Sequence, residues 1–168
     1  LDWLSALAGC KESAGLEWLP GLMGEPLMIT VKRKILFGDC DPEGIVYTPR
    51  FSNFALEATH EAMSILFDGP AIATMKKRGF LTPVRAFNLE FLSPVTWDQE
   101  LQLKVSVHKV GNQSFTFLVQ AYLNPDLLAF TATITYVTLS VETKQKITLP
   151  EWLRAALTEF NARQTFNP

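Results

Sequence analysis

Gly38-Asp39-Cys40-Asp41-Pro42-Glu43-Gly44-Ile45-Val46-Tyr47 sets three carboxylates among two glycines and a proline, directly ahead of Thr48-Pro49 and a long apolar run. Such a stretch forms a loop, because proline fixes its own φ and glycine takes conformations other residues avoid. The helix after it has a defined start. Thr48 suits the N-cap, and Pro49 suits the first helical position, where its missing N–H costs nothing. Phe51, Ala55, Ala58, Ala62, Ile65 and Leu66 recur at helical spacing until Asp68-Gly69-Pro70 stops the run. Phe54, Leu56, Met63 and Phe67 widen the apolar stripe. A helix this apolar on most of its sides is expected to be buried.

Upstream of the loop, Ile29, Val31, Ile35 and Phe37 predict a strand over Met28 to Phe37. Downstream, a short helix is expected over Ala71 to Arg78, ending at Gly79. The period then becomes two. Phe87, Leu89 and Phe91 alternate with polar residues before Ser93-Pro94. Leu101 to Val107, Phe115 to Ala121 and Leu128 to Tyr136 repeat the alternation, separated by turns at Gly111-Asn112 and Asn124-Pro125-Asp126. Pro150-Glu151-Trp152 opens a last amphipathic helix reaching about Phe160. A buried helix followed by four successive hairpin-linked strands predicts an α+β fold, with an antiparallel sheet wrapped around the long helix.

Residues 1–27 read as a peripheral extension, with Trp3, Leu4 and Leu7 on a short amphipathic helix before several Gly and Pro breaks. Residues 28–168 then form one domain, and the 168-residue chain can bury a full core without staples. Apolar residues make up 48% and charged residues 19%, below the roughly 25% charged that is usual. So few charges predict a surface shared between subunits, hence a homodimer or homotetramer. A net charge of −2 gives no basic field for nucleic acid or an anionic membrane. No run approaches the roughly 20 apolar residues of a membrane span. Cys10 and Cys40 have no metal-type spacing, which fits a reducing, cytoplasmic setting.

The acidic loop admits several chemistries. A calcium loop needs Glu at its twelfth position. Arg50 stands there when counting from Asp39. A serine hydrolase would want G-x-S-x-G, which is absent. A Cys40–His60 pair is disfavoured because the flanking carboxylates raise a thiol pKa. A solvated acidic turn that caps nearby amides remains open, beside a catalytic carboxylate.

The stretch Phe-Gly-Asp-Cys-Asp-Pro-Glu-Gly-Ile-Val-Tyr at 37–47, with Glu57-Ala58-Thr59-His60-Glu61 on the helix, resembles the 4-hydroxybenzoyl-CoA thioesterase family of hotdog proteins. The match is close from Ile35 to Met63 and looser to about Tyr136. The resemblance implies a hotdog fold that hydrolyses acyl-CoA thioesters to free acid and CoA, without a metal or organic cofactor. Asp41 matches the family's catalytic aspartate, acting as nucleophile or general base. The backbone N–H of Thr48 matches its oxyanion donor, and the positive end of the helix would favour a developing oxyanion there. Gly44, Ile45, Val46, Tyr47, Pro49 and Leu56 would border the substrate. The resemblance sets the site at a subunit interface, with Phe87, Leu89 and Phe91 contributed by the neighbouring copy.

Two positions depart from the family. Leu56 stands where many relatives carry Asp or Glu, which points to an apolar acyl pocket. Thr48 stands where relatives often have His or Tyr, so only its amide carries over. His108 alternates to the polar side of its strand and is expected at the surface. Lys104, Lys109 and Arg85 are candidates for CoA phosphates or plain solvated charges. Two other functions fit the same sequence: a non-catalytic acyl-thioester binding protein, or a thioesterase acting on acyl-carrier protein.

Overall fold

The computed structural model describes residues 28–164. The expectations for residues 1–27 lie outside that range. The chain runs through strand β1 (Ile29–Lys34), a 3-10 turn (Phe37–Asp39), helix α1 (Thr48–Leu66) and helix α2 (Ala71–Lys77). Strands β2 (Phe80–Leu81), β3 (Val84–Phe91), β4 (Glu100–Val110), β5 (Ser114–Asn124), β6 (Leu127–Val137) and β7 (Leu139–Ser140) follow, then helix α3 (Glu151–Gln164).

Strict alternation on β4 to β6 decides which face of the sheet is dry. Leu101, Leu103, Val105 and Val107 are buried, as are Phe115, Phe117, Val119 and Ala121, and Phe130, Ala132, Ile134 and Tyr136. They join one core with the buried face of α1. Ala55, Ala58 and Ala62 are completely buried there, and their small side chains let the helix lie close against the sheet. The opposite face carries Gln102, Lys104, Ser106, Gln120 and threonines, only half-buried. Thr116 and Thr135 share a hydrogen bond across it at 2.9 Å.

The main sheet is antiparallel with order β1-β4-β5-β6-β3, and β2 pairs with β7 in a small second sheet. A five-stranded antiparallel sheet packed on a long helix is the hotdog architecture. Gly79 ends α2 in the left-handed region at φ +79°, which a glycine adopts without penalty.

Several sequence expectations change. The first strand stops at Lys34, because Ile35 and Leu36 lead into the 3-10 turn, and Phe37 is left 79% exposed. Helix α1 is capped by Tyr47, so Thr48 is already its first residue and makes no side-chain cap. The helix keeps an open face at Asn53, Glu57, His60 and Glu61. The four strands are not all hairpin-linked. β4, β5 and β6 are, but β3 pairs with β6 at the far edge of the sheet. Residues 92–99 therefore cross the sheet before β4 begins. The last helix continues to Gln164.

Candidate active site

The loop of residues 37–47 is held at both ends by Asp39. Its carboxylate is buried, accepts the Leu36 N–H at 3.0 Å and pairs with Arg33 Nη2 at 3.2 Å. Its carbonyl accepts the Tyr47 N–H at 2.9 Å. Between these ends the chain turns on itself. The Asp41 N–H donates to the Ile45 carbonyl at 2.8 Å, and the Gly44 N–H to the Asp41 carbonyl at 3.0 Å. Bridges Cys40–Val46 and Ile45–Thr96 fasten the loop to itself and to the segment ahead of β4. Gly44 has φ +79° with open space around its Cβ position. The turn, rather than crowding, is what calls for glycine there.

Asp41 is half-buried. Its Oδ1 accepts the Glu43 N–H at 2.9 Å and the Ile45 N–H at 3.2 Å, an Asx-type arrangement that fixes the carboxylate in its own loop. No donor among the described residues reaches Oδ2.

Thr48 opens α1 with an N–H that no acceptor among the described residues takes, and Pro49 has none to give. A free amide at the positive end of a 19-residue helix is a ready donor to an anion. It borders a cleft of about 320 Å³ lined by Ile45, Val46, Thr48 and Phe51 on one side. Phe91 and the segment Leu92 to Val95 form the other. No lining residue is ionisable. Phe51 is the hub of this wall, meeting Phe91 edge-on at 5.1 Å and Phe130 at 5.3 Å.

Of the residues singled out in the sequence, Ile45, Val46, Thr48 and Phe91 meet at this cleft. Asp41 and Gly44 belong to the same loop as Ile45 and Val46 but do not line the cleft. Tyr47 is 58% exposed and Pro49 exposed, both outside the lining. Leu56 and Phe87 are half-buried against the core and border neither cavity. Leu89 lines a separate shallow cavity of about 160 Å³ with Asn88, Glu90, Thr131 and Thr133. Phe51 and the 92–95 segment escaped the sequence reading. Phe51 looked like ordinary core, and Ser93-Pro94 looked only like a strand end. Their convergence is made by the Val46 N–H bonding the Val95 carbonyl at 2.8 Å.

The thiol of Cys40 is pushed above its ordinary 9.0, first by burial and then by the charges of Asp39 and Asp41. That keeps it protonated and a poor nucleophile. His108, Lys109 and Arg85 are exposed, and Lys104 lies 4.7 Å over the Tyr122 ring.

An antiparallel sheet packed on one long helix is the fold of the hotdog thioesterases. The chain belongs to the thioesterase-like superfamily, whose family model matches residues 35–157. That family places it among acyl-CoA thioester hydrolases. It is 26% identical over 147 residues to a 1,4-dihydroxy-2-naphthoyl-CoA hydrolase of Prochlorococcus marinus subsp. pastoris, covering 81% of this chain and 95% of that protein. It is 30% identical over 88 residues to the 4-hydroxybenzoyl-CoA thioesterase of Pseudomonas sp. strain CBS-3, covering 52% of this chain and 62% of the relative. The solved structure of SAV2348 from Staphylococcus aureus in complex with CoA superposes with a TM-score of 0.80. It covers 88% of this chain and 92% of that one at 7% identity, a likeness of fold. No helix among the described residues is long and apolar enough to cross a membrane.

Proposed function

We propose that this protein hydrolyses acyl-CoA thioesters with Asp41 as the reacting carboxylate and the Thr48 N–H as oxyanion donor. The observation that carries the reading is the unpaired Thr48 amide at the start of α1, opening on an uncharged cleft beside the Asp41 loop. A thioester carbonyl placed at that amide gains a hydrogen bond that strengthens as its oxygen becomes anionic. Asp41 then acts in one of two ways. Its carboxylate attacks the carbonyl carbon, expels CoA as thiolate and leaves an anhydride that water opens; or it removes a proton from water, which attacks directly. Either route consumes one water and yields one acid and one thiol.

Ile45, Val46, Phe51 and Phe91 would receive the acyl group. Gly44 and Tyr47 would lie along the approach, and Leu56, Phe87 and Leu89 behind or beside it. The relatives act on naphthoyl and benzoyl thioesters of CoA, and an apolar, aromatic-walled cleft suits acyl groups of that kind. The working form we propose is a homodimer or homotetramer. β3 is an edge strand with most of its residues exposed, and Val84, Phe91 and Leu92 are 42%, 49% and 49% accessible. An uncovered apolar edge of this sort invites a second copy. The edge would then complete the site from the neighbouring subunit.

Thiol release from a panel of short, long and aromatic acyl-CoAs tests the reading. Wild type is expected to turn over at least one class, and Asp41→Asn to lose about 100-fold or more of kcat. Hydrolysis undiminished in that variant removes Asp41 from the mechanism. Tight binding of CoA esters by wild type without thiol release makes the protein a binder. Sedimentation of the full chain across a dilution series reports the assembly; a monomer throughout rejects the shared site.

A further inference from the structure

Of the three carboxylates in the loop, only Asp39 is buried, and its partners come from three different parts of the fold. Arg33 reaches it from β1, with Nη2 at 3.2 Å from Oδ2 and 3.4 Å from Oδ1. Arg50 reaches it from the first turn of α1, with Nε 3.8 Å from Oδ1. The Leu36 amide completes the set at 3.0 Å. The cations are themselves tied down. Arg50 Nη2 donates to the Gly38 carbonyl at 3.2 Å. Arg33 lies 4.8 Å over the Phe54 ring, and its Nε sits 3.3 Å from Glu57 Oε2, an ion contact without hydrogen-bond alignment. Asp39 is thus the point at which strand, loop and helix are joined by charge.

We propose that Asp39, with Arg33 and Arg50, is a positioning group that fixes the Asp41 carboxylate relative to the Thr48 amide while touching no substrate itself. The inference rests on the proposed function. Burying a carboxylate is costly unless it is paired, and a buried pair contributes registry more dependably than net stability. The registry here is specific. Two residues after Asp39 stands Asp41, and the Asp39 carbonyl holds the amide of the residue just ahead of Thr48. A shift of the hub moves both groups against each other. Misplacement of about 1 Å between reacting groups costs on the order of 100-fold in rate.

The full chain is tested as wild type, Asp39→Asn, Arg50→Met and a control, Lys34→Met. Lys34 is exposed, in a surface pair with Asp98 at 2.9 Å. Two readouts are taken: kcat and KM on an acyl-CoA that wild type hydrolyses, and amide hydrogen exchange. Asp39→Asn is expected to lose about 10- to 100-fold of kcat with KM within about threefold. Its Ile45 and Tyr47 amides should exchange at least about tenfold faster, while β4 to β6 keep their protection. Arg50→Met should move in the same direction by less, and Lys34→Met should match wild type. If Asp39→Asn does not fold, Arg50→Met carries the test, because that side chain is 45% exposed and leaves no core void. Unchanged kcat, unchanged Ile45 and Tyr47 exchange, or equal loosening of the whole sheet overturns the proposal. An inactive wild type, or a fully active Asp41→Asn, defeats the functional reading instead; the exchange at Ile45 and Tyr47 still decides whether Asp39 holds the loop.

Discussion

Tyr136 Oη on β6 lies 2.6 Å from Thr59 Oγ1 on α1, both side chains being fully enclosed. Thr59 donates its single hydroxyl hydrogen to the Leu56 carbonyl at 3.0 Å, so Tyr136 is the donor to Thr59. This bond joins the central helix to the sheet in the middle of an otherwise apolar core. Tyr136→Phe leaves Thr59 bonded to Leu56 and is expected to destabilise the protein by about 1 kcal/mol, read from the denaturation midpoint. Thr59→Val strands the phenol and should cost more, about 1–3 kcal/mol.

The same tyrosine sets an alkaline limit. Burial pushes its pKa up to about 12. An unfolded tyrosine titrates near 10. Below about pH 10 both states keep the proton and the contribution is fully present. As pH rises from about 10 to 12 the unfolded state ionises first, so stability falls, by on the order of 2–3 kcal/mol in all. Thermal melts of Tyr136→Phe should show a shallower decline over that window than wild type.

The Thr48 amide can be removed without removing the helix. Proline is tolerated at the first helical position, which Thr48 occupies. Thr48→Pro is therefore expected to fold, with circular dichroism like wild type, and to lose about 100- to 1000-fold of kcat, the usual cost of one oxyanion donor. Thr48→Ala keeps the N–H and should stay within about threefold of wild type. Equal activity of the two variants would dismiss the amide as a donor.

Close approach of α1 to the sheet depends on its small side chains. Ala58 is completely buried. Ala58→Leu inserts volume that the core cannot accommodate and is expected to cost about 1–3 kcal/mol in urea unfolding. Ala58→Gly relieves no crowding and should cost about 1 kcal/mol in helix propensity, with a further loss for the buried methyl it removes.

Cys40 should be a slow thiol despite its place within the 37–47 loop. Its raised pKa predicts alkylation by iodoacetamide slower than that of a free thiol at pH 7, rising as pH climbs past 9. Mass mapping of the Cys40 peptide checks this. Cys40→Ala should keep kcat within about threefold, whereas a loss of 100-fold would give the thiol a part in the reaction.

Local pattern carried a large share of this molecule. The spacing of Phe51, Ala55, Ala58 and Ala62 specified a buried helix, and period-two runs specified β4, β5 and β6 with the correct face inward. Both follow from the backbone's own repeat, which the sequence writes directly. The Asp41–Gly44 turn was equally legible, because proline and glycine restrict or release φ wherever they stand.

Pairing over distance was not. Phe87, Leu89 and Phe91 read as a strand, but nothing in them says that β3 lies beside β6 rather than β4. Nor does any residue announce that Val95 will bond Val46 and so bring Leu92 to Pro94 against the start of α1. Among three neighbouring carboxylates, the sequence could not say which is buried; Asp39 was chosen by Arg33 from one side and Arg50 from the other. A residue's periodicity and turn preference are its own, whereas its burial and charge partner belong to whatever the rest of the chain packs against it.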